Sequence, residues 1–137
     1  MIEMPKEFRA RQSMGRTVRG RALVAHDNFS ARYDLDRIAG IFSRSTHRLA
    51  GQSYVGKILI LHTAKGGVAS AWMLHEMAER GVTPLALVLN SVNPILAQGA
   101  ALADLPMLAG FDEDITAAIP NDSEVEVNPA NRSLRLI

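Results

Sequence analysis

Two short apolar runs, each followed by a helical pattern, organise the middle of the chain. Lys57–His62 (KILILH) and Pro84–Asn90 (PLALVLN) are nearly unbroken apolar stretches, the pattern of strands buried on both faces. Between them, Val68–Arg80 places Leu74, Met77 and Ala78 around Ala71 at helical spacing, which predicts a helix with one core face. Gly81 suits the left-handed residue that closes a helix. Asn93-Pro94 opens a second predicted helix, Ile95–Leu102, with Asn93 as N-cap and Pro94 at the first helical position. Leu105–Leu108 reads as a short strand entering the core.

The flanks are less regular. Thr17–Ala25 (TVRGRALVA) partly alternates and predicts a strand. Glu124–Val127 and Ser133–Leu136 alternate on either side of Asn128-Pro129-Ala130-Asn131, which predicts a closing hairpin. Asp27–Gln52 has no period and reads as a long structured loop, a kind of segment that is often functional. The expected fold class is α/β: one compact domain over residues 16–137, with a central parallel β-α-β-α-β unit, right-handed crossovers and a flanking antiparallel layer. Residues 1–15 are expected to form a flexible basic arm.

Composition narrows the function classes. A chain of 137 residues with 47% hydrophobic and 21% charged residues suits one folded domain, not a disordered one. The net charge of +1 gives no electrostatic reason to expect nucleic acid or an anionic membrane as partner. Without cysteine the chain has no disulfide, thiol nucleophile or cysteine-ligated cluster or zinc site of its own. The charged start lacks the apolar core of a signal peptide and no run reaches a membrane span, so a cytoplasmic protein is expected. Charge is uneven: Lys6, Arg9, Arg11, Arg16, Arg19 and Arg21 crowd the start, whereas Asp112–Glu126 is acidic and has no Lys or Arg. Either these are two solvated faces, or the basic end meets an acidic patch on a partner.

The candidate chemistry centres on Thr63–Gly67 (TAKGG), between a strand and a helix. Such a turn aims backbone N–H groups and the positive end of the helix dipole at one spot. Gly66 and Gly67 allow close approach to the backbone, and Lys65 adds a cation. An anion site for a carboxylate or phosphate and a tight turn needing two glycines are both open readings. The spacing fits neither the Walker nor the dinucleotide pattern. No pair among His26, His47, His62 and His75 has metal-ligand spacing on one helix face, so no metal site is expected. His62 ends a strand beside the turn, and His75 pairs with Glu79 at i,i+4. Asp34 and Asp36 sit in the long loop, where either could be aimed into a site. Ser70 lies in the first helical turn, with no His or Asp beside it in sequence. Trp72, Met73 and Met77 read as packing or interface residues.

An ordered set of segments resembles the small swivelling domain of the aconitase X family of hydro-lyases. The segments are GRALV (20–24), the Ser30 loop with Asp34 and Asp36, HRLAGQSYVGKILIL (47–61), TAKGGVASAW (63–72) and NPILAQGAALADLP (93–106). The resemblance implies a β/β/α swivelling domain that docks on a large aconitase-like subunit, the pair removing water from a hydroxy acid. It implies no cofactor on this chain, and in at least some members an iron–sulfur cluster or metal held by the large subunit. It implies substrate contacts at Thr63, Lys65, Gly66, Gly67, Ser30 and His47.

One departure matters. The family's turn resembles Ser-Gly-Arg-Gly-Ser-Ser, whose serine after the second glycine is the expected catalytic base. Thr63 matches the first serine, Lys65 the arginine and Gly66 the second glycine, so the base position is Gly67. The cradle and cation are kept and the hydroxyl is not. Ser70 could take over, the partner could supply the base, or the chemistry differs. Phosphoenolpyruvate-using phosphotransfer domains share a similar helix start, Gly-Gly-x-x-Ser-His-Ala. Here Ala71 stands at the phosphohistidine position, which excludes that chemistry at this site. Three readings follow: a dehydratase small subunit, a non-catalytic anion-binding or regulatory module, and a free-standing homo-oligomer that binds a small anion.

Overall fold

The computed structural model describes residues 6–30, 34–64 and 68–137, the side chain of Ser70 excepted. The elements run β1 (Glu7–Arg9), β2 (Gln12–Met14), β3 (Val18–Val24), β4 (Asn28–Phe29), β5 (Leu35–Asp36), β6 (Ile41–Phe42), β7 (Ile58–Ala64), α1 (Val68–Arg80), β8 (Ala86–Ser91), α2 (Pro94–Leu102), β9 (Met107–Ala109), α3 (Ile115–Ala118), β10 (Glu124–Asn128) and β11 (Ser133–Leu136), with a 3-10 turn at Pro129–Asn131 between the last two. Strands β3, β7, β8 and β9 lie side by side and parallel. The antiparallel layer β10-β11-β1 joins them through β3, and β2 closes the far edge against β9. The first half of β3 pairs with β10, up to Arg21 opposite Glu124. Its second half pairs with β7, from Ala22 opposite Ile58. One strand thus links the two layers, and the fold is the α/β arrangement that the apolar pattern predicts.

Alternation along the parallel strands feeds two cores. Leu23, Leu59, Leu61, Leu87, Leu89 and Met107 face α1 and α2, where Leu74, Met77, Leu96 and Ala100 complete the first. Ala22, Ile58, Ile60, Ala86, Val88 and Leu108 face the other way, onto Val125, Val127, Leu134, Ile115 and Ile119. Because both faces are covered, the strands lose the polar-apolar alternation of a half-exposed sheet.

Helix ends follow their local signals. Val82 N–H donates to the Met77 carbonyl (3.0 Å) and Gly81 N–H to that of Ala78 (3.2 Å), a Schellman closure with Gly81 at φ +71. The Asn93 side chain accepts from Leu96 N–H (2.9 Å), and Pro94 opens α2. Gly99 lets the helices touch: a Cβ there would lie 2.5 Å from the Ala71 Cβ.

Four expectations need correction. The described part of the basic arm is not loose: β1 pairs with β11 and β2 with β9, and Ala10 is buried. Strands of three residues are too short for a period to reveal. The long loop contains β4, β5 and β6 and buries Phe29, Leu35, Phe42 and Leu49 in the first core, joined by Tyr54 just after it. The strand expected at Leu105–Leu108 is shifted to Met107–Ala109. The basic and acidic stretches are not two separate faces, because they pair with each other. Arg11 meets Asp112 (2.6 Å), Arg19 meets Glu126 (2.7 Å), and the Arg21 guanidinium donates to the Asp122 carbonyl (3.2 Å). Antiparallel pairing of β3 with β10 brings the two ends of the chain together and matches their charges.

Candidate functional site

The carboxyl ends of parallel strands are where an open α/β sheet presents ligands, because loops and helix starts converge there. Here α1 begins at Val68, with three residues between it and the end of β7 at Ala64. The N–H groups of its first turn have no partner within the helix. Lys65, Gly66 and Gly67 fall outside the described residues, as does the Ser70 side chain. Thr63, by contrast, is well placed: its hydroxyl donates to the Ser91 carbonyl (3.2 Å) and accepts from the Ser91 hydroxyl (3.0 Å). Ser30 comes next to the same place, since β4 runs parallel to β7 with Phe29 opposite Ala64. Thr63 and Ser30 thus lie near one another at the carboxyl end of β7, and Ser30 is buried.

His47 departs from its expected role as a substrate contact. Its Nδ1 accepts from Leu49 N–H (3.0 Å) and its Nε2 faces the Asn28 carbonyl (2.8 Å). The ring is stacked on Phe42 with centroids 4.4 Å apart. Both nitrogens are used and the side chain is buried, so His47 builds the loop and presents nothing to a ligand. Asp27 helps it: its carboxylate accepts from Asn28 N–H (2.8 Å) and Arg48 N–H (3.1 Å). Burial alone would raise the Asp27 carboxyl, but these N–H groups outweigh it and hold the value below the ordinary one. Asp34 is buried and meets Arg44 at 3.2 Å, while Asp36 accepts from Ile38 and Ala39 N–H at 3.0 Å each. Both acids shape the loop.

A second polar cluster, on the opposite face of the same strand ends, escapes sequence reading. On that face β3 carries Ala22 and Val24, followed by His26 just beyond its end, β7 runs Ile58-Ile60-His62, and β8 runs Ala86-Val88-Asn90. All three change from apolar to polar at one level. The N-cap of α3, Asp114, joins them there. Its Oδ1 accepts from Asn90 Nδ2 (2.8 Å), Thr116 N–H (3.0 Å) and the Thr116 hydroxyl (2.7 Å). Its Oδ2 faces His26 Nδ1 at 3.3 Å. The Thr116 hydroxyl first, then the Asn90 amide, holds the Asp114 carboxyl down to about 2. Asn90 Nδ2 also lies 3.0 Å from His62 Nδ1, and Asn90 Oδ1 accepts from Ile115 N–H (2.8 Å). The signal in the sequence was a polar residue two positions after an apolar one in each of three segments, Val24-x-His26, Ile60-x-His62 and Val88-x-Asn90; their registry was needed to see it.

Outside these clusters, α1 and α2 expose an apolar groove of about 440 Å³ lined by Val68, Trp72, His75, Ile95, Gly99 and Leu102. Trp72 is 68% exposed and Leu102 73%. His75 meets Glu79 at 3.2 Å, the surface pair expected. Among the described residues no helix is long and apolar enough to cross a membrane.

A three-layer β/β/α domain that carries its polar groups at the rim of a parallel sheet, beside a bare helix pair, defines a small module open on its working side. The chain belongs to the aconitase X swivel domain family, whose profile matches residues 7–136. It is 30% identical over 117 residues to the phosphomevalonate dehydratase small subunit of Methanothermobacter thermautotrophicus, covering 85% of this chain and 89% of that one. It is 27% identical over 128 residues to the subunit of the same name from Methanosarcina acetivorans, covering 90% and 89%. In fold it is similar to the crystal structure of holo aconitase X from Thermococcus kodakaraensis, with a TM-score of 0.89, 23% identity and coverage of 96% and 98%.

Proposed function

We propose that the chain is the small subunit of a two-chain hydro-lyase, closing over the active site of a large aconitase-like subunit and acting on an anionic hydroxy acid. The observation that carries this reading is the alignment, over most of both chains, with relatives named as dehydratase small subunits. Dehydration breaks a C–H and a C–O bond, so it needs a base for the proton and an acid for the departing hydroxide. In this reading Thr63, Lys65, Gly66, Gly67 and Ser30 form the cradle for a substrate carboxylate or phosphate. Gly67 has no hydroxyl to serve as base. Ser70 or a group on the large subunit takes that role. An iron–sulfur cluster does not fit this chain, which has no cysteine thiolate, and belongs on the partner.

The partner covers Val68, Trp72, Ile95 and Leu102. These residues form one apolar face at the helix that the turn feeds, and such patches mark association sites. The complex is cytoplasmic and takes no nucleic acid, consistent with the net charge of +1. The second reading, a non-catalytic anion-binding or regulatory module, is favoured by one observation, the missing hydroxyl at Gly67.

A tagged pull-down from the native host tests both. Recovery of an aconitase-like chain several times larger supports the two-chain enzyme. Recovery of this chain alone, at a defined oligomeric mass, overturns it in favour of a stand-alone module. In the reconstituted complex, Ser70→Ala should lower turnover by about 10²-fold or more if Ser70 is the base. Full turnover would move the base to the partner.

A further inference from the structure

We infer that His26, His62 and Asp114 form a binding site for a divalent transition-metal ion of the zinc class. The inference does not rest on the dehydratase reading, because all three ligands belong to this chain. One donor atom from each residue lies within 4.8 Å of the other two. They come from three separate segments: just beyond β3, within β7, and the N-cap of α3. Such convergence of two imidazoles and a carboxylate is not the product of a local repeat or a run of charge.

Donor spacing suits a small ion. Metal–ligand bonds of about 2.0–2.1 Å in tetrahedral geometry set donor atoms about 3.3 Å apart. His26 Nδ1 and Asp114 Oδ2 already stand at 3.3 Å. The His26 and His62 rings are 4.8 Å apart between centroids and inclined by 31°. The donor atoms lie within 4.8 Å of one another, and tetrahedral spacing requires the exposed His62 ring to turn toward the other two.

The surroundings support the Asp114 ligand as outer groups in metal sites do. Asp114 is held on Oδ1 by Asn90 and by both donors of Thr116, which leaves Oδ2 toward the histidines. In the free chain Thr116 Oγ1 lies 3.0 Å from His26 Nδ1, and Asn90 Nδ2 lies 3.0 Å from His62 Nδ1, two contacts that an ion at those nitrogens replaces. Each ring binds the ion through an unprotonated nitrogen and keeps its other N–H. Asn90 is fixed in turn by Ile115 N–H. Two nitrogen donors disfavour magnesium and calcium, and the absence of thiolate disfavours copper(I). Three protein ligands leave a position open to water or a small anion.

The test uses the full chain alone. Zn²⁺ is titrated by calorimetry, and Co²⁺ is followed by its visible absorption. The expected result is one ion per chain, with tetrahedral-type Co²⁺ bands. His62→Ala and Asp114→Asn should each weaken binding at least about tenfold, while His75→Ala on α1 leaves it unchanged. Thermal melts establish that the variants are folded, and His26→Gln supplies a third ligand change outside any strand. Absence of 1:1 binding, or binding that survives both His62→Ala and Asp114→Asn, would overturn the site. Its failure would leave the pull-down result untouched, and failure of the pull-down would leave the site standing.

Discussion

Tyr54 is fully buried, edge-on to Phe42 with ring centroids 5.9 Å apart, and its hydroxyl has no hydrogen-bond partner among the described residues. Burial pushes its ionisation up to about 12, so it stays neutral. An unsatisfied buried hydroxyl costs about 1–3 kcal/mol against an apolar group of the same shape. Tyr54→Phe is therefore expected to leave stability unchanged or raise it by about 1 kcal/mol in chemical denaturation; a loss larger than that would mean the hydroxyl has a partner after all. Asp114 makes a prediction about pH. Its carboxyl is held at about 2 in the folded chain against an ordinary 3.8, so between those values the unfolded chain binds more protons. The stability it contributes is complete above about pH 4 and is lost as the pH falls toward 2. In acid unfolding curves, Asp114→Asn should flatten that part of the profile, and an unchanged slope would contradict the hydrogen-bond assignment.

At the scale of elements, the contact between α1 and α2 is set by a missing side chain. A Cβ at Gly99 would stand 2.5 Å from the Ala71 Cβ and 2.7 Å from its Cα. Gly99→Ala gains about 1 kcal/mol of helix propensity but overpacks the contact by about 1–3 kcal/mol. A net loss of up to about 2 kcal/mol is expected, and adding Ala71→Gly should recover most of it in a double-mutant cycle. The long elements were legible in sequence because two-sided burial writes continuous apolar runs, as in Ile58–Leu61 and Ala86–Leu89, and because Asn93, Pro94 and Gly81 punctuate the helices. What was not legible depends on pairing. Strands β1 and β2 are held by partners far along the chain, and α3 is a single turn capped by Asp114. The site divides in the same way. Thr63 and Ser30 lie on a neighbouring parallel pair, whereas the His26–His62–Asp114 cluster brings together the end of β3, β7 and the N-cap of α3 from distant parts of the chain. His47, whose expected role came with the resemblance, has both ring nitrogens engaged by the loop backbone, which no sequence pattern reveals.

On the scale of the whole molecule, one helix links the end of β7 to the bare apolar face. Helix α1 carries Val68 and Trp72 outward from its first turns, with Trp72 edge-on to His75 at 6.2 Å. Alone, that face leaves a large aromatic ring in water at a cost that only a covering surface removes. A large subunit docked there would fix α1, and with it the cradle, over a shared substrate. Trp72 is then the anchor, since exposed tryptophans at interface centres commonly carry about 2 kcal/mol or more, a loss of about 30-fold in affinity. Trp72→Glu should leave the melting temperature of the isolated chain nearly unchanged, because the residue packs on little else. The same change should abolish or strongly weaken recovery of the large chain in pull-downs, and lower turnover of the reconstituted pair in proportion to complex lost. Arg16→Ala, which removes the exposed pair with Asp104, serves as the surface control. If Trp72→Glu retained full affinity for the large chain, the partner would dock elsewhere. If it instead converted a dimer of this chain to monomers, the helix face would belong to self-association and to the stand-alone reading.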